Sequence, residues 1–430
     1  MATLLLSEIF PPRIGGSGRW FWEMYSRLPR DEYVIAAGQD PRQEEFDRQH
    51  DLRVHRLPLT WSDLGLLSWS GLRGHARAFR HLRRLVKDAD ITRLHCGRCI
   101  PCGWLALLLK RMYGIPYICY VHGEEVNLAV ADGGGGVMSS RQLRWMARKV
   151  LRGAELLIAN SSNSARILLD QWQLAPERIR VLHPGVDAGR FVPAPRDSAA
   201  RRRLGWGDRP VILTVGRLQE RKGHDMMIRA LAGIRRAAPD VLYAIVGGGD
   251  ERESLEALVH RKGLQEHVQF LGEMKDHQLI ECYQQCDLFV LPNRQVGEDI
   301  EGFGMVLVEA QSCGKPVIAG ASGGTAEAMA IAETGFVVSC DEPGPLAAVV
   351  CELLLDPVRR KRMGIAARAW VEERFDWDAV TCRAQALFAS TDEMDMDRPP
   401  AADALRSTED DEHLKDDEAR SHLVSDFAAR

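Results

Sequence analysis

No stretch of about eighteen consecutive apolar residues occurs in the 430-residue chain, so nothing in it reads as a membrane-spanning helix. The start, Met1 to Glu8, lacks the basic region and length of a secretory leader, which sets the expectation of a cytoplasmic protein. Ten cysteines are scattered through apolar segments without a disulfide framework, as reduced thiols in a reducing compartment are. The G-x-G-x-x-G dinucleotide pattern is missing from the first glycine loop, and no D-x-D pair ends a strand in the second half. Excess charge is missing too: the net value is −4. Between Thr391 and Arg430, 13 acids face 5 bases, a balance of −8, so the preceding residues are mildly basic at +4. That acidic, nearly aromatic-free tail has the composition of a disordered segment, and no nucleic-acid partner is expected.

What is present is ordinary for a globular protein, 45% hydrophobic and 27% charged, with length enough for two domains. Short apolar runs predict strands at Leu4–Leu6, Tyr33–Ala37, Leu52–Leu57, Ile91–Leu94, Tyr117–Val121, Leu156–Ala159 and Ile179–Leu182. A second series is predicted at Val211–Val215, Leu242–Val246, Val268–Leu271, Leu288–Leu291, Val317–Ala319 and Gly335–Val338. Helical patterns separate most of them, which is the signature of α/β architecture with parallel sheets covered on both faces. Asp187 to Pro210 has no periodic pattern and marks the connection. The expected division is 1–190, a linker at 191–209, 210–376, a crossover helix at 377–390 and the tail from 391.

Chemistry is concentrated around Glu301-Gly302-Phe303-Gly304-Met305-Val306-Leu307-Val308-Glu309. A loop after the strand at Leu288 delivers one carboxylate, two glycines let the backbone approach a ligand, and an apolar helix carries a second carboxylate. Free N–H groups at a helix start bind phosphate, and carboxylates accept from paired sugar hydroxyls. The alternative is a plain junction with Glu309 on a solvated face, but its apolar neighbours argue for burial, where an acid needs a partner. Gly15 and Gly16 lie in a glycine loop, Phe10 to Gly18, between a strand and a helix beginning near Arg19. His122 ends another strand, where ligands of such folds bind, although a strand-end histidine also serves to bond a neighbouring loop. Arg217 and Lys222, five apart after the strand at Val211, can bridge a diphosphate, though surface loops carry such residues routinely.

Two further patterns admit two readings each. Cys96, Cys99 and Cys102 have part of a cluster-binding spacing, with Cys119 as the nearest fourth ligand, or are packed thiols. A helix at Leu72–Lys87 places Arg73, Arg77, Arg80 and Arg84 on one side and Ala76, Phe79, Leu82 and Val86 on the other. A second, Arg141 to Arg152, adds Arg144, Arg148 and Lys149. These are solvated faces or, with exposed Trp61, Leu66, Leu67 and Trp69, a surface for anionic lipid.

Six stretches together resemble the retaining glycosyltransferase family four: Phe10–Gly18, Val121–Glu125, Pro184–Asp187, Gly216–Gly223, Val246–Gly249 and Glu301–Glu309 with Ala310–Pro316. The resemblance covers nearly all of Leu4 to Phe388 and implies the GT-B fold, two Rossmann-like domains facing across a cleft, with a C-terminal helix crossing back. It further implies a nucleotide-sugar donor on the C-terminal domain and an acceptor from the N-terminal one, with no metal or other cofactor. By position, Arg217 and Lys222 would hold the donor diphosphate, Glu301 the sugar hydroxyls and Glu309 the ribose. Amides of Phe303, Gly304, Met305 and Val306 beside Gly302 would contact phosphate or sugar, His122 would lie beside the reacting sugar, and Gly15 and Gly16 would close over the donor. Pro292–Glu301 and Ile318–Gly324 look most like GDP-mannose-dependent enzymes that glycosylate phosphatidylinositol lipids, polyprenyl or polysaccharide acceptors. Gly302-Phe303-Gly304-Met305 is shared with UDP-sugar users, so the donor stays open between GDP-mannose and a UDP-hexose. A GT-B epimerase or phosphorylase, or a partner that binds nucleotide-sugar without transfer, are the competing readings; oligomeric state is not legible.

Overall fold

The computed structural model describes residues 2–13, 15–123, 125–128, 137–297 and 299–393. Glu124 of the Val121–Glu125 motif and the tail from 394 therefore lie outside the described residues.

The first sheet contains β1 (Ala2–Ser7), β2 (Tyr33–Gly38), β3 (Val54–Leu57), β4 (Ile91–Cys96), β5 (Tyr117–Val121), β6 (Leu156–Ala159) and β7 (Ile179–Val181), in the order β3-β2-β1-β4-β5-β6-β7. The second contains β8 (Val211–Val215), β9 (Leu242–Val246), β10 (Val268–Gly272), β11 (Leu288–Leu291), β12 (Val317–Gly320) and β13 (Gly335–Val338), in the order β10-β9-β8-β11-β12-β13. All the pairings are parallel; β1, for example, sets Leu4 beside Val34 and Leu94. Parallel strands are covered on both faces, which is why these segments read as unbroken apolar runs. Alternation then divides each run between two cores. Leu4 and Leu6 pack with Ala78, Leu82 and Leu85, whereas Leu5 faces Phe10, Trp20 and Phe21. In the second sheet Val211 and Leu213 pack with Phe191 and Trp206, and Ile212 with Met227 and Leu231.

The helix Trp377–Glu393 crosses back to the first sheet, burying Trp377, Val380, Ala384 and Phe388 against the cluster of Leu5, Trp20 and Phe21. Two chain crossings run side by side at its start. Val186 N donates to Phe375 O at 2.8 Å, and Trp377 N donates to Val186 O at 3.2 Å.

Four expectations are corrected. The segment expected to be an unpatterned connection is packed: it forms a helix at Ser198–Arg203, and Phe191, Leu204 and Trp206 are buried in the second core. Buried Arg201 stitches it down by donating to Gly207 O at 2.7 Å and to carbonyls of Gln285 and Arg209. The basic helix starts at Trp69, and its inward stripe is Gly71, His75, Ala78, Leu82, Leu85 and Val86, so Leu82 and Val86 face inward as expected but Ala76 faces solvent. Trp61 and Leu66 are half-buried against the first core, because Gly74 and His75 of that helix leave a groove that the indole fills, 4.8 Å from the His75 ring. Leu67 and Trp69 remain exposed, at 89% and 77%. The first helix starts at Gly16, ahead of Arg19.

Candidate active site

Strand order reverses between β1 and β4 in one sheet and between β8 and β11 in the other, and ligands of open α/β sheets bind outside the carboxyl ends at such points. The loops leaving these strands carry Gly15–Gly16, Arg217–Lys222 and Glu301–Gly304. The structure places them against each other. A Cβ on Gly16 would stand 3.0 Å from the Met305 methyl, and one on Gly302 would stand 3.2 Å from His122 O and 3.1 Å from Asn160 Nδ2.

Glu301 is the centre of charge. Its Oε2 accepts from Lys222 Nζ and, at 2.7 Å, from Arg221 Nη1, with all three residues buried. Burial pushes the Glu301 carboxyl upward, but Lys222 and Arg221 more than reverse this and hold it below the usual carboxylate range. A turn of 3-10 helix at Glu220–Lys222 makes the arrangement, sending two adjacent cations to one acid. Arg217 is not part of it. Its side chain is exposed on the same loop and makes no hydrogen bond or ion pair among the described residues.

Gly304, at φ +88°, ends the loop and starts the Met305–Ser312 helix, a conformation that L side chains rarely adopt. Gly323 has φ +68°, and a Cβ there would fall 1.8 Å from Glu301 O, so the neighbouring loop can pass this carbonyl only as glycine. Phe303 is buried in the second core, while Met305 and Val306 are half-buried.

Glu309 is buried, as its apolar neighbours foretold, and it has a partner: Tyr283 Oη donates to its Oε2 at 2.7 Å. Arg19 approaches from the first helix, with 3.8 Å between Nη1 and Oε1. Burial raises the Glu309 carboxyl, and the Arg19 charge and the Tyr283 hydroxyl reduce this only in part.

His122 Nε2 donates to Gly97 O at 2.8 Å, and its ring stands edge-on to Trp20 and Phe21. Burial, followed by the charge of Arg98, lowers its pKa to about 3, so the imidazole is neutral at working pH. Between the units, Glu327 accepts from Ser162 N at 2.8 Å, Ser162 Oγ at 2.8 Å and His183 Nε2 at 2.8 Å. It thereby caps the Ser162–Asp170 helix from the opposite unit.

Arg221, Arg19, Tyr283, Asn160 and Glu327 were missed by the sequence reading. Only Arg221 had a signal, as the cation next to Lys222; the others come from elements brought together by folding. Cys96, Cys99, Cys102 and Cys119 are buried, and among the described residues no three His, Cys, Asp or Glu side chains converge on a metal-binding point.

Two parallel-sheet units with glycine loops and a cation-held glutamate at facing carboxyl edges define a nucleotide-sugar-dependent glycosyltransferase of GT-B form. Residues 14–190 match the family described as Glycosyltransferase Family 4, and residues 197–370 match Glycosyl transferases group 1. The chain belongs to glycosyltransferase family 4. It is similar to a GDP-mannose-dependent alpha-(1-6)-phosphatidylinositol monomannoside mannosyltransferase of Mycolicibacterium smegmatis, 32% identical over 388 residues, 87% of this chain and 94% of that one. A D-inositol 3-phosphate glycosyltransferase of Thermobispora bispora is 35% identical over 293 residues, 65% of this chain and 66% of its own. Among solved structures, an Anabaena protein in complex with UDP aligns with a TM-score of 0.74 at 24% identity, over 91% of this chain and all (100%) of that one.

Proposed function

We propose that the protein is a retaining hexosyltransferase that moves mannose from GDP-mannose to a hydroxyl of a lipid-linked or polysaccharide acceptor, without a metal ion. The observation that carries this is Glu301, held ionised by Lys222 and Arg221 beside Gly302, which meets His122 of the other unit. The names of the mannosyltransferase relatives support the donor and the lipid class of acceptor.

The chain's residues then divide the work. Glu301 accepts from hydroxyls of the transferred sugar, and Glu309 from the ribose. Lys222 and Arg217, with the amides opening the Met305–Ser312 helix, meet the charge that develops on the leaving diphosphate. Neutral His122 is a hydrogen-bonding group at the sugar rather than a source of charge. The acceptor oxygen bonds to the anomeric carbon as its bond to the phosphate oxygen breaks on the same face. The departing oxygen takes the acceptor proton, so no protein nucleophile or base is required. Contacts between the units, such as Glu327 to Ser162, hold the two carboxyl edges together and so help orient the acceptor.

Among the described residues no helix is long and apolar enough to cross a membrane. Exposed Leu67, Trp69 and Leu72 beside exposed Arg73, Arg77, Arg80 and Arg84 support peripheral contact with an anionic membrane on the cytoplasmic side. Incubation with GDP-mannose and, separately, UDP-glucose tests the donor: release of mannose in preference to glucose supports the reading. Glucose release alone reassigns the donor, and release of neither sugar counts against both donors.

A further inference from the structure

His183 lies between the end of β7 and the crossing at Val186, where the chain leaves the first unit. Leu182 prolongs β7, its N donating to Ala159 O at 2.9 Å and its side chain buried with Leu5 and Trp20, so the next side chain turns the other way, toward the second unit. We propose that His183 is a positioning residue, which couples the crossing and the contact between the units to the loop that carries Glu301. The inference rests on the transferase reading, in which Glu301 holds the transferred sugar, and adds a residue that the reading does not use.

The ring makes one link. It stacks on Phe303, two residues beyond Glu301, with centroids 5.1 Å apart and planes 29° from parallel. It also stands 5.9 Å from Phe375, whose ring is 5.7 Å from that of Phe303. Phe375 O in turn accepts from Val186 N at the crossing. Three rings therefore join both chain crossings to the donor loop, and Phe303 and Phe375 are buried, where close packing passes a displacement on rather than absorbing it.

The ring nitrogen makes the other. His183 Nε2 lies 2.8 Å from Glu327 Oε2. Burial pushes the Glu327 carboxyl upward, but the bonds from His183 and Ser162 more than reverse this. It is therefore an ionised acceptor, and Nε2 carries the proton that His183 donates. Oε1 of the same carboxylate accepts from Ser162 N at 3.0 Å, on the first unit. From Glu327 the chain runs back to Glu301 within four residues: Gly324 N donates to Glu301 O at 3.0 Å, and Gly323 passes that carbonyl so closely that a Cβ would fall 1.8 Å from it. His183 thus grips the Glu301–Gly304 loop on two sides, through Phe303 and through the turn that backs Glu301.

The two links differ in strength. A hydrogen bond to an ionised group shifts an equilibrium about tenfold to a hundredfold, and a ring pair, beyond the area it buries, about twofold to tenfold. The nitrogen therefore carries more of the effect, and substitution separates the two. His183→Gln keeps an N–H at similar reach without the ring, whereas His183→Phe keeps a ring without the N–H.

The test measures, on the full chain, acceptor-free sugar release from GDP-mannose, GDP affinity by calorimetry and the urea midpoint, with UDP-glucose and UDP in their place if the wild type releases glucose instead. His183→Phe is expected to lower kcat about tenfold while nucleotide affinity, which does not involve Glu301, stays within about twofold. His183→Gln should stay within about threefold of the wild-type kcat, since the charge-assisted bond is kept. Glu327→Ala should lower kcat at least about tenfold, and adding His183→Phe to it should cost less than about twofold more, because the shared link is already gone. Glu327→Ala carries the test if His183→Phe does not fold. An unchanged kcat in His183→Phe overturns the proposal, as does independent multiplication of the two effects. A nucleotide affinity and urea midpoint that fall in step with kcat also overturn it, being the sign of a purely structural role. If the wild type releases sugar from neither donor, the transferase reading fails and takes the proposal with it, whereas full activity in the variants removes the proposal alone.

Discussion

Arg221 Nη1 lies 2.7 Å from Glu301 Oε2, and the side chains are 7% and 11% exposed. Lys222 reaches the same oxygen, so one acid carries two cations inside the cleft. Removing Arg221 leaves Glu301 with Lys222 alone, which costs less than the roughly 3–5 kcal/mol of stripping a buried charge of its single partner. Arg221→Met should therefore lower the urea midpoint and reduce turnover by letting Glu301 shift. Arg221→Met with Glu301→Gln should be less damaging to stability than the two single changes summed, by about 0.5–3 kcal/mol. Strict additivity in a double-mutant cycle would show that the two do not act as a pair.

Glu309 is held ionised by less than Glu301 is, since burial raises its carboxyl. As pH falls it protonates before an ordinary glutamate does, and a protonated acid is a poorer acceptor for ribose hydroxyls. Donor KM should rise on acidification with little change in kcat, because ribose is bound equally in ground and transition states. The Tyr283 hydroxyl lowers the Glu309 pKa, so Tyr283→Phe should move that rise to higher pH. Glu309→Ala should have high donor KM at every pH. A fall in kcat at constant KM would remove the ribose role.

Acid stability follows from buried histidines, among them His95, which burial holds well below the usual imidazole range. His122 is lowered to about 3 and His224 to about 4, burial being the first cause of both. Below about 6.5 the unfolded chain binds protons at these residues and the native state does not, so stability falls as pH drops from 6.5. Each contributes a slope of at most about 1.4 kcal/mol per pH unit. Glu301, with a depressed carboxyl, adds a further loss below its ordinary range. Urea melts at pH 7 and pH 5 measure this, and an equal or higher midpoint at pH 5 would contradict it.

Much of this was legible because parallel strands are buried on both faces. Tyr117–Val121, Leu156–Ala159, Val211–Val215, Leu242–Val246, Leu288–Leu291 and Gly335–Val338 begin and end where the sequence places them. Helix phase was harder. Of the expected inward positions Leu82 and Val86 are buried and Phe79 is half-buried, but Ala76 faces solvent, and the stripe runs instead through His75 and Ala78, beside which Trp61 packs. In the site, Lys222 and Glu301 were visible from spacing along one segment each. Arg19, Tyr283 and Glu327 act through contacts between segments 26 to 290 residues apart, which no local pattern encodes.

The proposed membrane contact rests on what remains exposed. Leu67→Ser with Trp69→Ser should release the protein from vesicles containing anionic lipid while leaving transfer to a soluble acceptor unchanged. Undiminished sedimentation with such vesicles would place the contact elsewhere or nowhere.

Retaining transfer with fixed cations on the leaving diphosphate is checked by proton NMR of the product formed from GDP-mannose and octyl α-D-mannoside in EDTA. An α-linked product is expected at the same rate with and without chelator, with a loss of kcat of about a hundred- to a thousand-fold in Lys222→Ala, only partly recovered in Lys222→Arg. A β-linked product, or a rate abolished by EDTA and restored by magnesium or manganese, would contradict it.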